Sequence, residues 1–407
     1  EHPTEVPALL QDGFRFMHSG RKQPAIFEMA PDRFAARAPV SALPPLPPVT
    51  GAEPDEDKVR RAAARLSKAK CPAIFVGGGA YGAEAEIRAL AERLNAPVIE
   101  SVNGRGVIPS DHPLFYNILA GQAIWDEADV ALVIGSRFIA TALAWGRESE
   151  VDLIRIDVDP TQIGKPRDAS VALLTSAKQG VGALLDELGA GPAPERDAFL
   201  SKCHGAREDI RVAMEQLGNL PELSVALRKA MPKDAFLFAD VTQLGYYTRH
   251  AWPVYEPKTI LGPSYQATLG YAYPAALGAK LAHPDKKVVA IAGDGGFMFN
   301  VQEMSTAVRH GINLVTVVFN DGAFGNVQRI QKLNYGNRTI ASDLANPDFS
   351  KLADSFGVAG MRATSPDQLR ERLEDAFKMN EPVLIEAPVG EMPDPWGSVL
   401  NLPRVRG

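Results

Sequence analysis

Short apolar runs alternate with helix-patterned stretches along most of this chain, and that alternation restricts the fold more than any other property. Ala73-Ile-Phe-Val76 reads as a strand, Glu84 to Leu94 as a helix, and Pro97-Val-Ile-Glu100 as a second strand. Val130–Ile134 and Leu153–Asp157 continue the series. Neighbouring parallel strands need a long crossover, usually a helix, so this order predicts parallel sheets covered by helices on both faces. The pattern returns after a break, with strands expected at Phe236–Ala239, Lys287–Ala292, Leu314–Phe319 and Val383–Glu386, and helices at Ala272–Leu281 and Val301–His310. The fold class is therefore α/β, with two doubly wound parallel-sheet domains. At roughly 100–200 residues per domain, the 407 residues leave room for both and for smaller pieces.

Two breaks divide the chain. Pro39 to Pro54 contains Pro44, Pro45, Pro47 and Pro48, too many prolines for a helix or a central strand. Gly189-Ala-Gly-Pro-Ala-Pro194 forms the second break. The expected organisation is a short N-terminal piece (1–38), a proline-rich linker (39–57), a central domain (58–190), a linker (191–205), a C-terminal domain (206–390) and an extended tail (391–407). The first piece holds one helix-like stretch, Val6 to His18, and one strand-like stretch, Pro24 to Glu28. That is too little to bury a core and reads as the closing part of a domain.

Composition excludes several classes of function. The net charge is −6 with no Lys/Arg-rich run, which argues against affinity for nucleic acid or an anionic membrane. Cys71 and Cys203 are the only cysteines and form no CxxC, so neither a disulfide framework nor a zinc site is indicated. The longest apolar runs have strand length, well short of the ~20 residues of a spanning helix. No secretory n-region and h-region open the chain, so the cytoplasm is the default location. The chain starts Glu-His-Pro without Met, which is consistent with removal of something upstream.

Two motifs bear on chemistry. In the central block, Gly77-Gly-Gly-Ala-Tyr-Gly82 fits GxGxxG between a strand and a helix, and Glu100 ends the next strand. A Rossmann-like dinucleotide domain places its ribose-binding acid there. The same glycines also suit a tight strand-to-helix turn that binds nothing. In the C-terminal block, Gly293-Asp294-Gly295-Gly296 directly follows an apolar strand, and Asn320-Asp321-Gly-Ala-Phe-Gly325 follows the next one. The end of a parallel strand is where α/β sheets bind ligands, and glycines let backbone amides approach a phosphate. An aspartate there repels the anion unless a divalent cation lies between them. Asp294 and Asp321, 27 residues apart, fit a Mg²⁺–diphosphate clamp built from carboxylates, a carbonyl and phosphate oxygens.

GDG, about 25 residues, then an Asn-Asn or Asn-Asp pair resembles the signature of thiamine diphosphate (ThDP) enzymes. The surrounding Gly293-Asp-Gly-Gly-Phe-Met-Phe-Asn-Val-Gln-Glu303 and Leu269-Gly-Tyr-Ala-Tyr-Pro-Ala-Ala-Leu-Gly278 look like the acetolactate synthase and pyruvate decarboxylase branch. Asn103-Gly-Arg-Gly-Val-Ile-Pro109 and Ala128–Arg137 extend the likeness through the central block. The resemblance implies that Asp294, Asp321 and the Ala323 carbonyl bind Mg²⁺. It implies that Thr242, Gln243, Gly293, Gly295 and Gly296 meet the diphosphate, and that Leu269 wedges ThDP into its V shape. Asp321 departs from the Asn of many relatives.

The resemblance also implies a reaction class. The ThDP carbanion adds to a 2-oxo acid such as pyruvate, CO₂ leaves, and the resulting enamine is protonated by a decarboxylase or attacks a second carbonyl in a carboligase. The activating Glu of such enzymes lies on an N-terminal pyrimidine-binding domain of a neighbouring subunit. Residues 1–38 resemble only the end of that domain, and Glu28 does not match the activating Glu. No catalytic residue is therefore assigned, and the chain alone is expected to be inactive until a second chain or a further segment supplies the other half. The expected assembly is a homodimer or homotetramer.

A carboligase resembling acetolactate synthase is the preferred expectation. A simple 2-oxo acid decarboxylase and a non-catalytic nucleotide-binding or regulatory subunit are the alternatives. Ile330 stands where acetolactate synthases usually carry a Trp that selects the acceptor, and Arg137-Phe-Ile-Ala-Thr141 lacks their acidic FAD-binding segment. FAD or another adenine nucleotide in the central domain is thus an open expectation. Arg329, Gln328 and His250 are candidates to meet a substrate carboxylate, against a plain surface role for each.

Overall fold

A computed structural model describes residues 2–47, 51–138, 145–147 and 150–394. The expected tail beyond Asp394 and positions 139–141 of the FAD-related segment lie outside the described residues.

The central sheet contains β1 (Pro72–Val76), β2 (Val98–Glu100), β3 (Phe115–Asn117), β4 (Val130–Ile134), β5 (Asp152–Asp157) and β6 (Val171–Leu174). Their order is β3-β2-β1-β4-β5-β6, with parallel pairing throughout. This is the doubly wound order of dinucleotide-binding sheets, reversing between β1 and β4. All residues of β1 and β4 are buried, as helices on both faces require. Val59, Ala62, Ala63 and Leu66 of helix Glu56–Lys68 and Ile87, Leu90 and Leu94 of helix Glu84–Leu94 pack on one face. Phe75, Trp125 and Phe138 fill the other in edge-on and tilted contacts, with ring centroids 5.0–5.9 Å apart.

The second sheet contains β7 (Phe236–Ala239), β8 (Ile260–Leu261), β9 (Val288–Gly293), β10 (Val315–Asn320), β11 (Ala359–Arg362) and β12 (Val383–Pro388). Its order is β11-β12-β10-β9-β7-β8, again parallel throughout. The winding reverses between β7 and β9, which opens a crevice beyond their carboxyl ends. The register Val317↔Ile291 and Phe319↔Gly293 ends β9 and β10 within one residue of each other, so Asn320 lies level with Asp294 and Asp321 one residue beyond, its carboxyl within hydrogen-bonding reach of Asp294.

Several expectations change. Helix Asp197–Glu215 begins inside the expected linker 191–205, because Phe199, Leu200 and Cys203 supply an apolar stripe that packs into the central cores. Pro24–Glu28 forms no strand with any of the described residues, and Ile26 stays exposed. The helix expected over Val301–His310 splits into a 3₁₀ turn, Val301–Glu303, and an α-helix, Met304–His310. Helix Val6–His18 forms as predicted but buries no residue. Cys71 and Cys203 are free thiols. No helix among the described residues is long and apolar enough to cross a membrane.

Candidate functional site

A cleft of about 280 Å³ lies beyond the carboxyl ends of β7, β9 and β10. It brings together Thr242, Gln243, Leu269, Asp294 and Asp321, with Gly293, Gly295, Gly296 and Ala323 completing the wall. All nine residues that the resemblance gave to the metal, the diphosphate and the bend of the cofactor therefore share one cavity.

Asp294 is 1% exposed. Its Oδ1 accepts the Gly295 N–H at 2.9 Å, while Oδ2 accepts Gly322 N–H at 2.9 Å and Asn346 Nδ2 at 2.5 Å. These donors fix the rotamer and partly balance the charge. Asp321 is pushed up to about 7 by burial first and by the charge of Asp294 second. Two carboxylates close enough to share a proton, on a wall that holds no Lys or Arg among the described residues, need a cation to ionise together. The oxygen-rich donor set suits Mg²⁺, which binds through one or two carboxylates plus phosphate oxygens. The same wall can hold a diphosphate only if a metal screens it. Gln243 Oε1 is buried with no partner among the described residues, an acceptor left open to a donor.

The local backbone explains the rest of the cavity. Gly270 has φ +78°, and a Cβ there would lie 2.7 Å from Asn300 Nδ2 and 2.9 Å from Phe299 Cβ. Asn300 Nδ2 donates to the Gly270 carbonyl at 2.7 Å, and this clamp holds Leu269 on the cleft wall. Gly295 is a glycine because a Cβ would strike the Phe324 ring at 2.4 Å. Its amide is occupied by Asp294, so close packing explains this residue. A short helix, Asp294–Met298, starts within the GDGG run itself, ahead of the helix expected over Val301–His310.

Residues that the sequence reading did not single out complete the site. Asp240, 1% exposed at the end of β7, accepts Val241 N–H at 2.7 Å, and burial raises its carboxyl. Asn346 donates to both Asp294 Oδ2 and Asn320 Oδ1. Asn320 Nδ2 in turn donates to Glu386 Oε1 at 3.0 Å, and Glu386 pairs with Arg362 at 2.7 Å. Asp240 follows a strand, a usable signal. Asn346 comes from a loop 52 residues beyond Asp294, and nothing in the sequence connects them.

The other candidates separate. Arg329 pairs with Asp394 at 2.6 Å and donates to Asn326 Oδ1 at 2.5 Å. Gln328 donates to Asp343 at an exposed position. His250 is held neutral, pushed down to about 3 by burial and by Arg105 and Arg249, so it does not offer a cation to a carboxylate. Ile330 is half exposed on helix Gly325–Asn334.

The central-domain motif needs a correction. Glu100 is fully buried and accepts Gly106 N–H at 3.1 Å and Ile108 N–H at 2.9 Å, with Arg105 Nε at 3.6 Å. It is committed to the fold and is not available to a ribose. The glycine turn also has a structural use: Gly79 N–H donates to Gly135 O at 2.9 Å, and a Cβ on Gly77 would lie 2.5 Å from that oxygen. A second cleft of about 330 Å³ runs between Gly78, Tyr81 and Asn103 of this region and Arg249, Lys258 and Ser264 of the C-terminal domain.

Comparison with known proteins agrees with this geometry. Residues 240–387 match the family model described as thiamine pyrophosphate enzyme, C-terminal TPP binding domain, and residues 59–184 match thiamine pyrophosphate enzyme, central domain. A probable acetolactate synthase large subunit of Methanocaldococcus jannaschii is 30% identical over 98% of this chain and 73% of its own length. A probable 2-ketoarginine decarboxylase of Pseudomonas aeruginosa is 33% identical over 94% of this chain and 70% of its own. The acetolactate synthase large subunit of Haemophilus influenzae is 30% identical over 95% and 72%.

Proposed function

The chain belongs to the thiamine diphosphate enzymes, and from that premise we propose that it is a carboligase of the acetolactate synthase type, acting on pyruvate or a related 2-oxo acid. The observation that carries this reading is the pairing of Asp294 and Asp321 just past the ends of adjacent parallel strands, in a cleft with no basic side chain among the described residues. Asp294, Asp321 and the Ala323 carbonyl hold Mg²⁺. Thr242, Gln243 and the Gly293–Gly296 turn receive the diphosphate, and Leu269 supports the bent cofactor. When bound, ThDP supplies a nucleophilic carbon that adds to the 2-oxo acid and accepts the electron pair released with CO₂. The protein orients the cofactor, screens its charge through the metal and walls the cleft with apolar side chains.

In this reading, the activating carboxylate comes from a pyrimidine-binding domain beyond these 407 residues, on a further segment or a second chain. The enzyme acts as a homodimer or homotetramer in the cytoplasm. Residues 58–190 form the central domain and residues 206–390 the cofactor domain. An adenine nucleotide such as FAD is proposed for the central domain, whose glycine turn borders the cleft that Arg249 and Lys258 also line; Glu100 takes no part.

A 2-oxo acid decarboxylase is the second reading, favoured by Ile330 and by the 33% identity to the probable 2-ketoarginine decarboxylase. Native mass spectrometry with Mg²⁺ and ThDP tests cofactor uptake. Product analysis of the complete assembly on pyruvate, with and without an acceptor 2-oxo acid, separates the readings. Aldehyde as the sole product under both conditions excludes the carboligase.

A further inference from the structure

Helix Gln243–Ala251 has one end in the cofactor cleft and the other at the domain boundary. Its first turn follows Thr242 and contains Gln243, both on the cleft wall. The last carbonyls of any α-helix lack partners within the helix and need donors from elsewhere. Here the donors come from the central domain. Arg105 Nη1 donates to Arg249 O, Arg105 Nη2 donates to Trp252 O, and Asn117 Nδ2 donates to His250 O at 3.2 Å. A guanidinium at this end also complements the helix dipole.

Arg105 is itself held in place. It is 3% exposed, and Glu100, 0% exposed, lies 3.6 Å from its Nε. The two amides bonded by Glu100, Gly106 and Ile108, belong to the same loop. That loop continues into Ser110, whose N–H donates to Val254 O at 2.8 Å while its Oγ accepts Val254 N–H at 2.9 Å. Gly106, at φ +86°, permits the approach, because a Cβ there would lie 2.7 Å from Glu256 O. A buried ion pair is a weak source of stability but a strong fixer of geometry.

We propose that Arg105 is a positioning residue for the cofactor: from the central domain it caps the carboxyl end of helix Gln243–Ala251 and so fixes Thr242 and Gln243 for the diphosphate. The inference rests on the ThDP reading above and deepens it, since it makes cofactor affinity depend on a domain that, among the described residues, contributes nothing to the cofactor cleft wall. By linkage, cofactor binding must then steady the central-domain loop in return.

The test is Mg²⁺–ThDP titration, paired with amide hydrogen exchange, on the 407-residue chain and its variants. Glu100→Gln/Arg105→Met removes both buried charges together and leaves neither one unpaired. Its ThDP affinity should fall about tenfold, the equivalent of losing one charged hydrogen bond. Exchange over residues 243–252 should quicken, and added ThDP should no longer slow exchange at Gly106 and Ile108 as it does in the parent. Arg105→Lys, which keeps the charge but not the fork, should fall between the two and decides the matter if the double variant does not fold. Unchanged affinity in these variants, or no effect of ThDP on Gly106 and Ile108 in the parent, overturns the proposal while leaving the cofactor reading intact. Failure of the parent itself to take up Mg²⁺–ThDP overturns the reading and the proposal together. Asp294→Ala, which removes a metal carboxylate, serves as the non-binding control.

Discussion

Replacing Asp321 by asparagine tests the charge balance of the site. The Asp321 carboxyl moves from an ordinary 3.8 to about 7 in the folded chain, through burial and the neighbouring Asp294. Its folded state therefore holds the proton more tightly than the unfolded state. The metal-free protein must lose stability as pH rises from about 4 to about 7, because ionisation becomes progressively easier in the unfolded chain. The full shift corresponds to roughly 4 kcal/mol. The side-chain amide of the variant carries no such charge and avoids the loss. In EDTA at pH 8, Asp321→Asn should be more stable than the parent by about 2–4 kcal/mol, and at pH 4 the difference should shrink toward zero. For a domain of this size, that is about 4–16 °C in the unfolding midpoint of the C-terminal domain. Mg²⁺ should reverse the ranking by stabilising the parent more, since it replaces the missing proton. The measurement is thermal unfolding followed by circular dichroism from pH 4 to 8, with EDTA or with Mg²⁺. A variant advantage that is absent at pH 8, or equal at all pH values, would refute the reasoning that burial and the Asp294 charge together hold the Asp321 proton.

Three further outcomes follow from the geometry. Gly270→Ala places a Cβ 2.7 Å from Asn300 Nδ2 at a left-handed backbone position, so it should cost about 1–3 kcal/mol and displace Leu269, read as a lower unfolding midpoint together with weaker ThDP uptake. Asn346→Ala removes the 2.5 Å bond to Asp294 Oδ2 and should weaken Mg²⁺ binding about tenfold in a metal titration, with little change in the circular dichroism spectrum. Trp125→Ala empties the edge-packed cluster with Phe75 and Phe138 and should destabilise the central domain by about 3–5 kcal/mol, visible as an early unfolding step that Mg²⁺–ThDP barely shifts.

Much of this protein is legible in the chain itself because the signals are local. A parallel strand buried on both faces is an unbroken apolar run, so Val130–Ile134 and Phe236–Ala239 are found with the same ends in sequence and structure. Sheet-edge strands such as Ile260–Leu261 and Ala359–Arg362 are short or half exposed and carry no such run, so the sequence pattern misses them. Asp294 and Asp321 announce themselves because turn residues directly after apolar strands must lie at the ligand-binding edge. Glu100 obeys the same positional rule and still misleads, because position at a strand end does not reveal whether a carboxylate faces solvent or an arginine five residues later. Tertiary structure alone decided that Glu100 is buried, that Asn346 reaches Asp294 across 52 residues, and that Arg105 caps a helix 144 residues away. Sequence patterning reports what each residue does within its own element. Which orphan carbonyl or carboxylate a side chain satisfies depends on the packing of distant elements, and that packing exists only once both sheets have formed.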